Sequence, residues 1–134
     1  MAVNSFESYM EDILRNIELR KTVDYGSRSS VRKYNAAYDR IIKNVKAIER
    51  NYPERRSIFN EMLSHQDAAV VYLFGCLILD RPNFSLEDRV NALDVLKKLC
   101  LSNRLDRLTI TGLGFAIQVW EEKLQKEMEE TGDF

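Results

Sequence analysis

The sequence predicts an all-α protein, about six helices stacked as helical hairpins. Three observations predict it. Apolar residues recur at intervals of three and four along almost the whole chain, the spacing that lines one side of a helix. Five glycines and two prolines in 134 residues are few, and none of the hairpin-turn pairs Asn-Gly, Asp-Gly or Gly-Gly occurs. Each periodic segment is separated from the next by a short polar stretch of turn-forming residues. A composition 45% hydrophobic and 31% charged is that of a globular protein, and this length fits a single domain, residues 1–134, able to bury a core without disulfides or metals.

The first helix opens at Asn4, with Glu7 placed to complete a capping box, and carries Phe6, Met10, Ile13, Leu14 and Ile17 on one side to about Val23. A polar loop through Tyr25 and Gly26 follows, and Ser30 is the expected cap of the second helix. That helix has a long apolar side: Val31, Tyr34, Tyr38, Ile41, Ile42, Val45, Ile48 and Tyr52. Pro53 stops it, because proline pushes the residue before it out of the helical region. A short third helix is expected over Glu54–Leu63, with Ile58, Phe59, Met62 and Leu63 on one side.

The turn Ser64-His65-Gln66-Asp67 then leads to Ala68–Leu79, which has no charge in twelve residues. A strand competes for this run, since Val70, Val71, Phe74 and Ile78 favour one, but its length and the cap offered by Asp67 favour a helix. Too short to cross a bilayer, it is expected to be a buried spine on which helices two and five stack. Ser85 caps the fifth helix with Asp88 in the reciprocal position, and Leu86, Val90, Leu93, Leu96, Leu99 and Cys100 form its apolar face. The sixth begins weakly, because Thr109, Thr111, Gly112 and Gly114 lower helix propensity; from Leu113 the stripe Leu113, Ile117, Trp120, Leu124 is clear. Residues 127–134, acidic and without apolar partners, are expected to fray. Such helices can close into a bundle or stack in an array, and their lengths favour stacking, with helices three and four forming one hairpin and five and six another. Helix one either joins this array or exchanges between protomers.

Convergent chemistry is sparse. His65 is the only histidine and sits in a turn beside Ser64 and Asp67, where capping explains it better than catalysis. There is no Cys-x-x-Cys and no calcium-loop pattern, so neither metal nor cofactor is expected. Thr111-Gly112-Leu113-Gly114 lacks the third glycine and the preceding strand of a nucleotide loop, and close helix packing or a broken first turn is the simpler reading. Cys76 and Cys100 lie within apolar helical patterns and read as free thiols. With no signal-peptide pattern at the N-terminus and no membrane span, the expected location is the cytoplasm. Charge is uneven: residues 28–56 carry nine Lys and Arg against three Asp and Glu, whereas residues 119–134 carry two against six. The basic helix could meet phosphates through Lys33, Arg40, Lys43 and Arg50, but a sequence pI near 5.9 weighs against nucleic acid.

The segment LSHQDAAVVYLFGCLIL, with Leu63, Asp67 and Val70 or Val71 in place, resembles a HEAT-type helical repeat, although Tyr72 or Val71 stands where that family often has arginine. Asn35, Tyr38, Asp39, Arg40, Leu63 and His65 together resemble a small bacterial family pairing an Asn-x-x-Tyr-Asp-Arg helix with a HEAT-like hairpin. The resemblance covers roughly residues 30–80. It implies a HEAT-like α-α superhelix and a non-enzymatic immunity protein, which would bind and block a cognate bacterial toxin domain such as a nuclease of a contact-dependent or polymorphic toxin system. In stacked arrays the second helices of the hairpins line the concave face. On that basis the expected partner-binding residues are Tyr72, Asp80, Arg81, Gln118, Glu121 and Glu122. Asp94 adds to the acidic character that would draw a basic toxin domain. The alternatives are an adaptor within a larger complex and a nucleic-acid-binding helical-repeat protein.

Overall fold

In the structure, a computed structural model, residues 4–81 and 83–131 are described. Among them the regular elements are all helical: α1 (Phe6–Arg20), α2 (Arg28–Asn51), α3 (Ile58–Glu61), α4 (Ala68–Asp80), α5 (Leu86–Leu101) and α6 (Arg107–Thr131). The all-α class and the six helices are as the sequence predicts, and Ala68–Asp80 is a helix rather than a strand. The chain divides between Ser57 and Ile58 into two compact units.

The first unit is α1 packed along α2. Ser5, one residue later than the expected cap, accepts the Ser8 N–H at 3.1 Å and starts α1. Ser27 rather than Ser30 caps α2, accepting the Ser30 N–H at 3.2 Å, while the Ser30 hydroxyl accepts from the Asp24 N–H at 2.7 Å. Phe6, Met10, Ile13 and Ile17 of α1 are buried, as are Ala37, Ile41, Val45 and Ile48 of α2. Small Ala37 is buried between Tyr34 and Tyr38, which lie at the edge of the core, Tyr38 at 40% exposure. The Arg20 guanidinium instead lies 4.2 Å from the Tyr34 ring centroid and 4.9 Å from that of Tyr38, covering both rings at the edge of the pair. Tyr52 meets Phe6 edge-on at 6.0 Å and donates its hydroxyl to the Asn4 carbonyl at 2.8 Å, joining the end of α2 to the start of α1.

In the second unit the segment expected as one short helix is broken. Pro53–Arg55 is a 3-10 turn belonging to the first unit, α3 has only four residues, and Met62–Ser64 is a second 3-10 turn. Phe59 anchors this irregular stretch: its ring is fully buried, 5.3 Å from Phe74 and stacked 5.8 Å from Phe84. Asp67 caps α4 by accepting the Ala69 N–H at 2.9 Å, and His65 Nδ1 accepts the Asp67 N–H at 3.0 Å, the turn role expected for both. Eight residues of α4 are buried, among them Leu73, Phe74 and Leu77. Ser85 caps α5 through the Asp88 N–H at 3.1 Å. Consecutive helices pack, α4 on α5 and α5 on α6, which meets the spine expectation on the α5 side. The partner of α2 inside its own unit is α1.

Gly75 sets the closeness of α4 to α5. A Cβ there would lie 2.7 Å from Leu96 Cδ2 and 2.9 Å from its Cγ, and Leu96 is fully buried. Alanine would gain about 1 kcal/mol of helix propensity but lose about 1–3 kcal/mol to overpacking. Gly75→Ala is therefore expected to lower stability by about 1 kcal/mol in urea unfolding. Leu96→Val should cost less in the Gly75→Ala background than alone; equal costs would show that the two side chains do not compete for space.

The start of α6 differs from expectation. Thr109, Thr111, Gly112 and Gly114 all lie inside the helix. Asp106 supplies the missing start signal: its carboxylate accepts from the Thr109 N–H at 2.9 Å and from the Thr109 hydroxyl at 2.7 Å. Those bonds hold its carboxyl below the usual range. At the other end α6 continues to Thr131, and Arg89 ties its Glu127 to α5. Residues 132–134 lie outside the described residues.

Candidate functional site

Two grooves flank the seam between α5 and α6. The first, about 470 Å³, is lined by Asp80 and Arg81 at the end of α4, Arg89 of α5, and Trp120, Lys123 and Glu127 of α6. Arg89 holds Glu127 in a two-bond fork, Nη1 to Oε2 at 2.5 Å and Nη2 to Oε1 at 2.9 Å, with the arginine side chain only 16% exposed. Paired donors matched to paired acceptors are the strongest ion-pair geometry available to these side chains. Trp120 Nε1 donates to Asp80 Oδ1 at 3.3 Å, tying α6 to the end of α4.

The Arg89 hydrogen bond pulls the Glu127 carboxyl below the usual carboxylate range. A depressed folded value means that the pair's contribution is complete above the unfolded carboxylate pKa and is lost as pH falls through the folded value. The stability gap between wild type and Glu127→Gln is accordingly expected to stay constant from about pH 8 to pH 5 and to close below about pH 4. Urea midpoints across that range check it; a gap that persists into acid would exclude the ionised carboxylate as its source. Glu127 is 42% exposed, so solvent keeps the effect modest.

The second groove, about 540 Å³, has an apolar floor of Val90, Leu93, Leu124 and Met128. Its rim carries four acids, Asp94, Glu121, Glu122 and Glu129, against Lys97 and Lys126. Lys97 Nζ meets Glu121 at 3.0 Å, but both are nearly half exposed, and such pairs contribute about 0–1 kcal/mol. Asp94, Glu122 and Glu129 are exposed.

The six residues expected at a partner surface are thus divided. Asp80 and Arg81 share the first groove, and Glu121 and Glu122 share the second with Asp94. Gln118 is exposed on α6 and lines neither groove; Tyr72 is half-buried on α4 and lines neither. Trp120, Arg89 and Glu127 were not anticipated. The tryptophan fell into the buried stripe of the pattern, and an ion pair across 38 positions has no local signal.

The residues that carried the family resemblance mostly hold the fold. Arg40 Nε donates to the Asn16 side-chain carbonyl at 2.8 Å; Asn16, buried to 1% exposure, in turn donates to the Asp12 carbonyl at 2.8 Å. Leu63 is buried, and His65 serves its turn. Asn35 and Asp39 are exposed. One of the four candidate phosphate-binding cations, Arg40, is therefore engaged within its own unit, while Lys33, Lys43 and Arg50 are exposed on α2.

Cys76 and Cys100 are free and half-buried. Burial, with a smaller contribution from Asp80, pushes the Cys76 thiol up to about 12, which keeps it protonated and a poor nucleophile. Among the described residues no three His, Cys, Asp or Glu side chains cluster as metal ligands would, and no helix is long and apolar enough to cross a membrane. No family model, curated protein or solved structure matches the chain.

Proposed function

We propose that the protein is a non-enzymatic binding module of HEAT-like stacking, acting in the cytoplasm as an immunity protein that occludes the active site or substrate groove of a cognate bacterial toxin domain. The observation that carries this reading is the second groove. An apolar floor between α5 and α6, rimmed by Asp94, Glu121, Glu122 and Glu129, matches a partner that offers apolar side chains ringed by lysine and arginine. A nuclease domain with a cationic substrate groove has that chemistry. Apolar anchors would give affinity and the acids would speed encounter.

The test is to express the neighbouring toxin-like reading frame alone and together with this protein, then follow growth and co-purification. Rescue of growth with a stable complex is the expected result; absence of both rescue and complex would sink the proposal. Within such a complex, Glu121→Lys with Glu122→Lys is expected to slow association about tenfold at low salt, the difference fading as salt screens the exposed charges. Unchanged association would remove the groove's rim from the interface. If charge reversal at Lys43 and Arg50 abolished function and the protein shifted RNA or DNA with a steep salt dependence, the exposed face of α2 would be the working surface instead.

A further inference from the structure

The outward side of α6 has a composition its own chain does not explain. Leu113, Ile117 and Leu124 are buried on the inner side. On the opposite side Leu108, Phe115 and Val119 are 67%, 68% and 54% exposed. At about 100° per residue, positions 108, 112, 115 and 119 fall on one strip, so α6 is apolar on both sides. Gly112 lies on that strip, inside the helix, where glycine lowers stability. A Cβ at Gly112 would meet nothing within 4 Å, so no packing within the chain requires it. The result is a shallow hollow beside an exposed phenyl ring.

We infer that this strip is a two-fold interface with a second copy of the chain, α6 lying antiparallel on α6 with Phe115 of each copy seated over Gly112 of the other. The strip is complementary to itself in that arrangement. Pairing 112 with 115 sets the same centre as pairing 108 with 119, so one register fills the hollow and joins Leu108 to Val119. The flank agrees in charge: Arg107, exposed at the start of α6, comes within one turn of the exposed Glu122 of the other copy. A parallel pairing would instead place Phe115 on Phe115 and like charges side by side. Antiparallel helices also set opposite dipole ends together. From 108 to 122 the strip is about 21 Å long. A single helix pair of that length falls below the roughly 800 Å² per partner of a standard interface, so the dimer is weak, with dissociation in the micromolar range. The first groove shares no residue with the strip, and the second meets it only at Glu122 on its rim, so the apolar floor between α5 and α6 stays open to another partner.

Sedimentation velocity from about 1 µM to about 1 mM brackets that range. The wild-type mass is expected to rise from one chain to two, while Gly112→Leu stays at one chain throughout with its helix content and melting temperature retained. Should Gly112→Leu misfold, Gly112→Ala decides: the added methyl raises the melting temperature and weakens association several-fold. Arg107→Glu is expected to weaken the dimer about tenfold and Arg107→Glu with Glu122→Lys to restore it, a rescue only the antiparallel register allows. A wild-type protein that stays at one chain across the range would overturn the inference. So would masses beyond two, or Gly112 variants that associate as wild type does.

Discussion

Leu77→Asp is expected to leave residues 58–131 without a cooperative fold. Leu77 is 5% exposed in the last full turn of α4, a helix whose only ionisable side chains besides the protonated Cys76 thiol are those of Tyr72 and Asp80. With no cation on α4 to pair with it, a carboxylate there must stay protonated. Burial that raises a carboxyl by about 3–5 units brings its folded pKa to neutrality or above, and keeping it protonated near pH 7 then costs about 4 kcal/mol. The lost transfer of a leucine side chain adds about 2–3 kcal/mol. Whole domains are stable by only about 5–15 kcal/mol, so the substitution removes most or all of the margin. Loss of helical circular dichroism and of amide protection across α4, α5 and α6 is the readout. A soluble Leu77→Asp protein with native protection would mean that α4 does not form the core. Leu73→Asp, at the same 5% exposure, should behave alike.

What was legible in the sequence depended on the range of the interaction. Asp67 and Ser85 were readable as caps because a cap and the N–H it satisfies lie two or three residues apart. Ser30 sits in the right segment but is not the cap: three serines cluster at the start of α2, and the fold gives the cap to Ser27 while Ser30 accepts the Asp24 N–H. The short third helix was misread because propensity over a few residues barely separates an α-turn from a 3-10 turn. Packing around Phe59 decides it. Thr109, Gly112 and Gly114 argued against a helix that forms regardless, since the Asp106 cap and the burial of Leu113 and Ile117 outweigh their propensity cost.

The candidate site was half legible for the same reason. Glu121, Glu122 and Asp94 were readable as an acidic surface because their charge needs no partner to be seen. The ties that shape the neighbouring groove, Trp120 to Asp80 and Arg89 to Glu127, span 40 and 38 positions and exist only once α4, α5 and α6 pack. Gly75 was equally silent. A lone glycine in an apolar run is ordinary until Leu96 is seen against it. The outward strip of α6 is not legible because Gly112 reads for propensity and for close packing, and only the structure shows that it leaves open space.

Phe59→Ala is the second large expected effect, and it separates global stability from local order. The ring is fully buried and contacts Phe74 at 5.3 Å and Phe84 at 5.8 Å, so truncation removes one member of a three-ring cluster. Deleting a buried phenylalanine side chain costs about 3–5 kcal/mol, and each lost ring contact about 0.5–1.5 kcal/mol within that total. A helix of four residues such as α3 cannot hold itself together, since nucleation alone is unfavourable. Its conformation depends on the ring that anchors it. Phe59→Ala should therefore lower the urea midpoint steeply and, in the molecules still folded, erase amide protection over residues 58–64 before α4 or α5 loosens. Phe59→Leu, which refills most of the volume, should recover the protection and the larger part of the stability. If Phe59→Ala cost less than about 1 kcal/mol, or if α3 kept its protection, the aromatic cluster would not be what holds this segment to α4.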